Sequence, residues 1–233
     1  MPARATRRAA HLPLAMLVAL LALVPAVTAC GDVTIAPEAT PVAGVEDVTS
    51  VDRQLEPFTR ISVGAAITVA VAHSPETKVT VEAPGDMMDA IRTEVVDGQL
   101  VVTIPPPGVV STKKIKLTVK APDIESLSIA AGTTATLQTD RDTLRLDVSG
   151  SSVLTATGTV GELSLVETAA GRVDLTALKV TNMTVRLSDG SAATLAVSGT
   201  LGGKLDGGSH IQLVEQPAQV TAEAISGSTI SGP

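Results

Sequence analysis

The sequence predicts an all-β chain: a solenoid of stacked coils about 20 residues long, preceded by a strand and hairpin part with one short helix. Three observations lead to this prediction. The 233 residues include one Phe and neither Trp nor Tyr, so the core must be aliphatic rather than built from aromatic side chains that bury ~150–250 Å² each. Short runs alternate β-branched and polar residues. Leucines then recur at a spacing near 20.

The first predicted strands lie at residues 60–63, 67–71 and 78–82, where apolar and polar residues alternate and turn residues follow. After them, Met87, Met88, Ile91 and Val95 are spaced by about three or four residues. This spacing predicts one short helix, for which Asp86 is the expected N-terminal cap.

A hairpin is predicted next, because Asp97-Gly98 separates two alternating runs and is a preferred two-residue turn. Three consecutive prolines from Pro105 stop the second run, since proline cannot donate to a strand ladder. The following strand covers residues 115–119. Lysines lie within it and on both sides of it, and we expect them on its solvent-exposed face: Lys113, Lys114, Lys116 and Lys120.

The solenoid prediction comes from five segments that each begin with Leu and contain a cluster of small residues. The leading residues are Leu127, Leu146, Leu165, Leu187 and Leu205, at spacings of 19, 19, 22 and 18. Stacked coils bury such anchors in one continuous stripe. A sandwich of antiparallel hairpins is the alternative, and it predicts more Asn-Gly or Asp-Gly turns in phase with the repeat.

The N-terminus predicts export from the cytoplasm. Three arginines, an apolar run over residues 12–24 and a small-residue exit form a signal peptide at residues 1–29. Val27, Thr28, Ala29 and Cys30 resemble the lipobox of bacterial lipoproteins. That resemblance implies a diacylglyceryl group on Cys30, making membrane lipid a partner. An uncleaved transmembrane anchor and a buried structural cysteine are the alternatives.

The net negative charge of the chain argues against some classes of binding partner. The formal net charge is −7. Removal of residues 1–29, with three Arg and no acid, leaves 14 basic and 24 acidic residues, a balance of −10. This charge opposes binding to nucleic-acid phosphates, and the missing aromatics remove stacking platforms for bases. We expect residues 30–50, rich in Pro, Ala, Thr and acids, to be a flexible tether, and residues 51–233 to be one domain.

No catalytic, cofactor-binding or metal-binding residues are predicted. After cleavage only His73 and His210 could act as imidazole bases; neither adjoins a nucleophile elbow, and we expect both in surface turns. Four acids that closely follow leucine anchors could line one face as a catalytic or calcium ridge, although solvated corner residues explain them equally well: Asp147, Glu167, Asp189 and Asp206.

Several segments resemble, in order, a bacterial family described as putative auto-transporter adhesin, head GIN domain. They are residues 53–63 (RQLEPFTRISV), 79–83, 97–102 and 115–122, and then 127–132, where Ala130 and Ala131 replace the usual serine and glycine. The resemblance covers about residues 50–232. It implies a right-handed β-helix-like solenoid at the cell surface, and it does not imply any particular activity. Phe58, the only aromatic residue, falls on the Phe of the family motif, and we expect it to plug the core at the first coil.

Three functions follow as hypotheses. The leading one is a lipid-anchored module on the extracytoplasmic face of the cell membrane, which binds a surface protein or another envelope partner or has a structural role. An envelope enzyme acting on polysaccharide would need acids that converge with a base. A carrier of a lipid or other apolar molecule would need an apolar cavity of ~300–1,000 Å³.

Overall fold

In the computed structural model of the protein, the described residues are 42–44, 46–104, 109–111 and 114–233. They are almost entirely β, with one short 3₁₀ helix, Gly85–Ala90. The strands are, in chain order, β1 Val42–Gly44, β2 Val48–Arg53, β3 Arg60–Val63, β4 Thr68–His73, β5 Lys78–Pro84, β6 Arg92–Val96, β7 Gln99–Thr103, β8 Val109–Ser111, β9 Lys116–Ala121, β10 Ser126–Ile129, β11 Thr134–Val148, β12 Val153–Glu167, β13 Arg172–Leu187, β14 Ala192–Val197, β15 Thr200–Leu205, β16 His210–Leu213, β17 Gln219–Val220, β18 Glu223–Ala224 and β19 Thr229–Ser231. The predicted fold class is confirmed.

From β10 onward the chain winds into parallel coils. Leu127 lies opposite Leu146, which lies opposite Leu165, so that each of these coils advances the chain by 19 residues. Neighbouring strands of such a stack lie ~4.8 Å apart, and the inward leucines therefore pack directly on one another; all three are fully buried. The predicted solenoid is confirmed, with coils of about 19 residues.

One predicted alignment is wrong. Leu165 lies opposite Val185, and Leu187 lies opposite Glu167 two residues further along the strand. Val185 and Leu187 both point inward on β13, because side chains two apart in a strand share a face. The alternation of residues along the chain cannot distinguish them, and only the neighbouring coil decides which one continues the stripe of Leu165.

Each coil has three sides, which we name from the strands that stack on them. Face A is formed by β7, β3, β10, the last parts of β11 to β13, β15 and β18. Face B is formed by β9, β4, the first parts of β11 to β13, β14, β16 and β19. Face C is formed by the middle parts of β11 to β13, where the chain passes from face B to face A.

The corner from face A to face B is a stack of two-residue turns in which both residues have positive φ. The turns are Ala131-Gly132, Gly150-Ser151, Ala169-Ala170, Asp189-Gly190, Gly207-Gly208 and Ser226-Gly227. Backbone hydrogen bonds join successive turns, such as Gly132 N to Gly150 O at 2.9 Å. Small residues predominate because L residues with bulky side chains are strained in this conformation.

The N-terminal part departs from parallel winding. β2 pairs antiparallel with β5, and β5 pairs antiparallel with β9. The predicted Asp97-Gly98 hairpin is confirmed, since β6 and β7 pair antiparallel across it. The predicted cap is wrong: the helix begins at Gly85 after Pro84 without a side-chain cap, which places Asp86 inside the first turn.

Other N-terminal predictions are settled by burial and by strand pairing. Phe58 is buried in the core as expected. Lys114, Lys116 and Lys120 are exposed as expected, whereas Lys113 lies outside the described residues. Strand structure begins before residue 51. β1, which pairs with β8, and the start of β2 at Val48 both lie within residues 30–50, the segment predicted as a tether.

Candidate functional site

The four acids considered as a possible ridge on one face do not lie together on one face. Asp147 points outward on face A and accepts two hydrogen bonds from Arg145, at 2.7 and 2.9 Å. Asp189 sits in a corner turn with positive φ, and Asp206 directly precedes the next turn in the stack. Glu167 points inward and is fully buried. The four acids therefore form no shared ridge: Asp189 and Asp206 fit the alternative of corner residues, whereas alternation along β12 directs Glu167 into the core.

Glu167 occupies a place that Val148 and Leu187 fill in the neighbouring coils. Its Oε1 accepts a hydrogen bond from Ala192 N at 3.3 Å, while Oε2 is buried without a hydrogen-bond partner. Gly171 makes the space, since a Cβ there would lie 2.9 Å from Glu167 Cγ. The equivalent corner position is a buried Ser in other coils, as at Ser191.

The environment of Glu167 changes its protonation. Burial raises the pKa of Glu167 from its ordinary 4.5 to about 8, and the hydrogen bond from the Ala192 backbone opposes this only in part. A carboxyl group without a compensating charge is disfavoured as an anion in an apolar environment. Glu167 is therefore a neutral acid inside the solenoid at neutral pH, where no exposed partner can reach it.

The histidines lie apart from one another in the fold. His73 is exposed as predicted, but it is the last residue of β4 rather than part of a turn. His210 lies within β16 on face B rather than in a turn, and its Nδ1 is 2.6 Å from Thr229 Oγ1 in the next coil. Across the described residues, no three or more His, Cys, Asp or Glu side chains form a group that could hold a metal ion.

A polar groove runs across five coils on face C. Its volume is about 790 Å³, and its lining is drawn from residues 140–143, 159–161 and 179–181 together with Ser198 and Glu215. Val160 and Val180 are buried beneath it. Gly161 keeps the coils close here, because a Cβ on it would lie 2.8 Å from the Asp142 carbonyl oxygen.

Positively and negatively charged side chains both line this groove. Asp140, Asp142 and Glu215 supply carboxylates; Arg141 and Lys179 supply cations. Thr159 donates a hydrogen bond to Asp140, and Arg141 forms an ion pair with Asp123 at the edge. Among the described residues, no carboxylate forms an ion pair with Lys179. The groove therefore offers donors, acceptors and charge to a polar partner, whereas its apolar residues lie below the surface.

No pattern in the sequence predicts these groove residues. They lie midway between leucine anchors, where each coil turns from face B to face A, and they share no motif. The one signal available was periodic: Asp140, Thr159 and Lys179 follow one another at spacings of 19 and 20. The predicted lipobox residues Val27, Thr28, Ala29 and Cys30 lie outside the described residues. In the described part of the chain, no helix has the length and apolar character needed to cross a membrane.

Comparison with known proteins identifies similar sequences and structures. The family model for putative auto-transporter adhesin, head GIN domain, matches residues 57–217, so β17 to β19 follow the matched segment. The comparison with curated proteins found no match.

Solved structures of low sequence identity share the fold. A putative adhesin from Bacteroides fragilis is 15% identical and covers 82% of this chain and 100% of its own, with a TM-score of 0.70. A putative adhesin from Parabacteroides merdae is 14% identical over 84% of this chain and 100% of its own, with a TM-score of 0.57. A putative lipid binding protein from Parabacteroides distasonis is 11% identical over 83% of this chain and 100% of its own, with a TM-score of 0.53.

Proposed function

Since the chain belongs to the family described as putative auto-transporter adhesin, head GIN domain, we propose that it is a lipid-anchored binding module on the outer face of the cell membrane. The family suggests a cell-surface location. The observation that carries the binding proposal is the polar groove on face C. It is a concave surface of about 790 Å³ that presents both signs of charge across successive coils.

The anchor rests on residues 27–30, which resemble a lipobox directly after an apolar run. A diacylglyceryl group supplies two acyl chains, and two chains hold a protein stably at a membrane where one does not. The acidic mature chain would gain little from electrostatic attraction to anionic lipid, so the covalent lipid is the contact that retains it.

The groove fits a polar partner of the cell envelope, either a protein or a polymer rich in hydroxyl and charged groups. Lys179 has no ion-pair partner among the described residues, and Asp140 and Asp142 flank Arg141 in sequence. A partner with complementary charges would gain specificity from such an arrangement. An apolar ligand is not favoured, because Val160 and Val180 below the groove are already packed in the core.

Binding is tested with bacterial cells that display the full chain and are washed over immobilised envelope material. A groove variant carries Asp140→Asn, Lys179→Gln and Glu215→Gln. Its control carries Asp174→Asn, Arg172→Gln and Glu94→Gln, which remove the same charges at exposed positions away from the groove. We expect roughly tenfold lower cell retention for the groove variant alone. Equal retention of all three proteins would refute the assignment of the groove.

The anchor is tested separately by metabolic labelling with an alkyne fatty acid. We expect the label on the wild-type chain and its loss in Cys30→Ala, which would also release the protein from the membrane fraction. Label that persists in Cys30→Ala would overturn the lipidation proposal without affecting the groove.

A further inference from the structure

Another cavity lies on face A at the strands β13 and β15. Its volume is about 590 Å³, and it shares no lining residue with the groove on face C. We call it the face A notch and define it by Arg186, Lys204, Gly203, Thr168 and Asp206. It needs a separate explanation because two cations meet in it.

Gly203 gives the notch its shape. Its φ is +121°, and a Cβ at this position would lie 1.9 Å from the Val185 carbonyl oxygen. No L residue is compatible with such a contact, so backbone without a side chain lines the notch at this position, opposite the buried Val185. Close approach of backbone is a frequent reason for glycine inside a strand.

Arg186 and Lys204 lie directly opposite each other on neighbouring strands, and both are exposed. Like charges in this arrangement destabilise a sheet. Lys204 also lies opposite Glu223, but no carboxylate among the described residues forms an ion pair with either cation. The contrast on the same face is Arg145, whose guanidinium is held by Asp147.

We propose that the face A notch binds a single oxyanion group, the carboxylate of a uronic acid or a phosphate, between Arg186 and Lys204. A guanidinium donates paired hydrogen bonds that match an oxyanion, and an ammonium adds a point charge. The Thr168 hydroxyl at the rim provides one further donor. An anion between the two cations would also relieve their mutual repulsion.

A single charged group fits the notch better than a membrane surface does. Attraction to anionic lipid needs a cluster of several cations, and this notch has two, with Asp206 beside them. Because the chain as a whole is acidic, binding by general electrostatic attraction is disfavoured, and any oxyanion retained here must be held by local contacts.

The test measures the thermal unfolding midpoint of the detergent-solubilised full chain with inorganic phosphate, sodium galacturonate or sodium chloride at equal ionic strength. Ligand that binds the folded state raises the midpoint. We expect a rise with phosphate or galacturonate beyond that with chloride, and the stronger of the two identifies the group. In Arg186→Gln and Lys204→Gln we expect an apparent affinity at least tenfold weaker.

Arg172→Gln is the matched control, since Arg172 is an exposed arginine on face B between Val153 and Ala192. We expect it to bind as the wild type does. The proposal is overturned if neither anion exceeds chloride, or if all three variants respond equally. It is also overturned if only vesicles containing phosphatidylglycerol bind in an Arg186-dependent manner, because the ligand would then be a membrane surface. None of these results bears on the groove of face C.

Discussion

The two ends of the solenoid are finished in different ways. At the N-terminal end the chain reverses direction, and the antiparallel strands β2 and β5 together with the short helix cover the first coils, burying Met87 and Met88. At the C-terminal end β17 to β19 continue the parallel winding, and Val220 and Ile225 remain 42% and 41% exposed. A coil can bury its inward side chains only if something packs beyond it, so the covered end should resist unfolding and the open end should fray first.

The difference in packing between the two ends can be tested by truncating one apolar side chain at each end. Met87→Ala removes a fully buried side chain and should cost about 2–5 kcal/mol, as truncations in packed cores do. Val220→Ala at the open end should cost about 0.5 kcal/mol, because surface substitutions rarely exceed this. Urea unfolding followed by circular dichroism measures both values. Equal losses would mean that the open end is as well packed as the covered one.

The coil between the ends provides a test that depends on pH. Glu167→Leu replaces a buried acid with the residue found opposite it, Leu187. Because the folded-state pKa of Glu167 is about 8 against an ordinary 4.5, the folded chain keeps a proton that the unfolded chain releases. Wild-type stability should therefore fall as pH rises from about 4.5 to about 8.

Glu167→Leu should remove this contribution, so that its advantage in unfolding midpoint grows from pH 5 to pH 8. Thermal melting at several pH values measures it. Glu162→Leu, an exposed acid earlier on β12, is the control and should not change the pH profile. If the unfolding midpoint of Glu167→Leu instead declines with pH as the wild type's does, Glu167 is not the buried acid responsible.

Hydrogen exchange in β19 should be the same in Glu167→Leu as in the wild type if the open end frays independently.

A small effect is expected at the corner turns. Ala170 and Ser226 have φ of 59° and 53°, a conformation that glycine adopts without steric cost. Ala170→Gly in the middle of the stack should stabilise the protein by about 0.5–1 kcal/mol, after the entropy of glycine in the unfolded chain is offset. Ser226→Gly in the last coil relieves similar strain but should leave the global unfolding free energy unchanged. A matching gain at both positions, measured by urea unfolding, would show that the last coil unfolds together with the rest.

Much of the fold was predictable because its signals are local. The Asp97-Gly98 turn and the alternation around it specify a hairpin wherever they occur in a chain. The leucine spacing of 19 specified the coil length. The wrong alignment of Leu187 with Leu165 comes from the same alternation that predicts the strands, because a strand with period two presents Val185 and Leu187 as equivalent inward residues.

The candidate site was less predictable, because its parts are brought together only by stacking. Asp140, Lys179 and Glu215 are far apart in sequence, and nothing near any of them marks a groove. Glu167 and three other acids follow a leucine by one or two residues, yet a difference of one residue along a strand separates the core from the solvent.

The sequence by itself determined the β class, the coil length, the aliphatic core and the hairpin, because alternation and period are properties of a chain and its nearest neighbours. Only the tertiary structure decided which end is covered, which acid is buried, and where Arg186 meets Lys204. These depend on which residue lies across from which in the next coil. That register is set by the packing of many inward side chains at once, and no short segment of the sequence contains it.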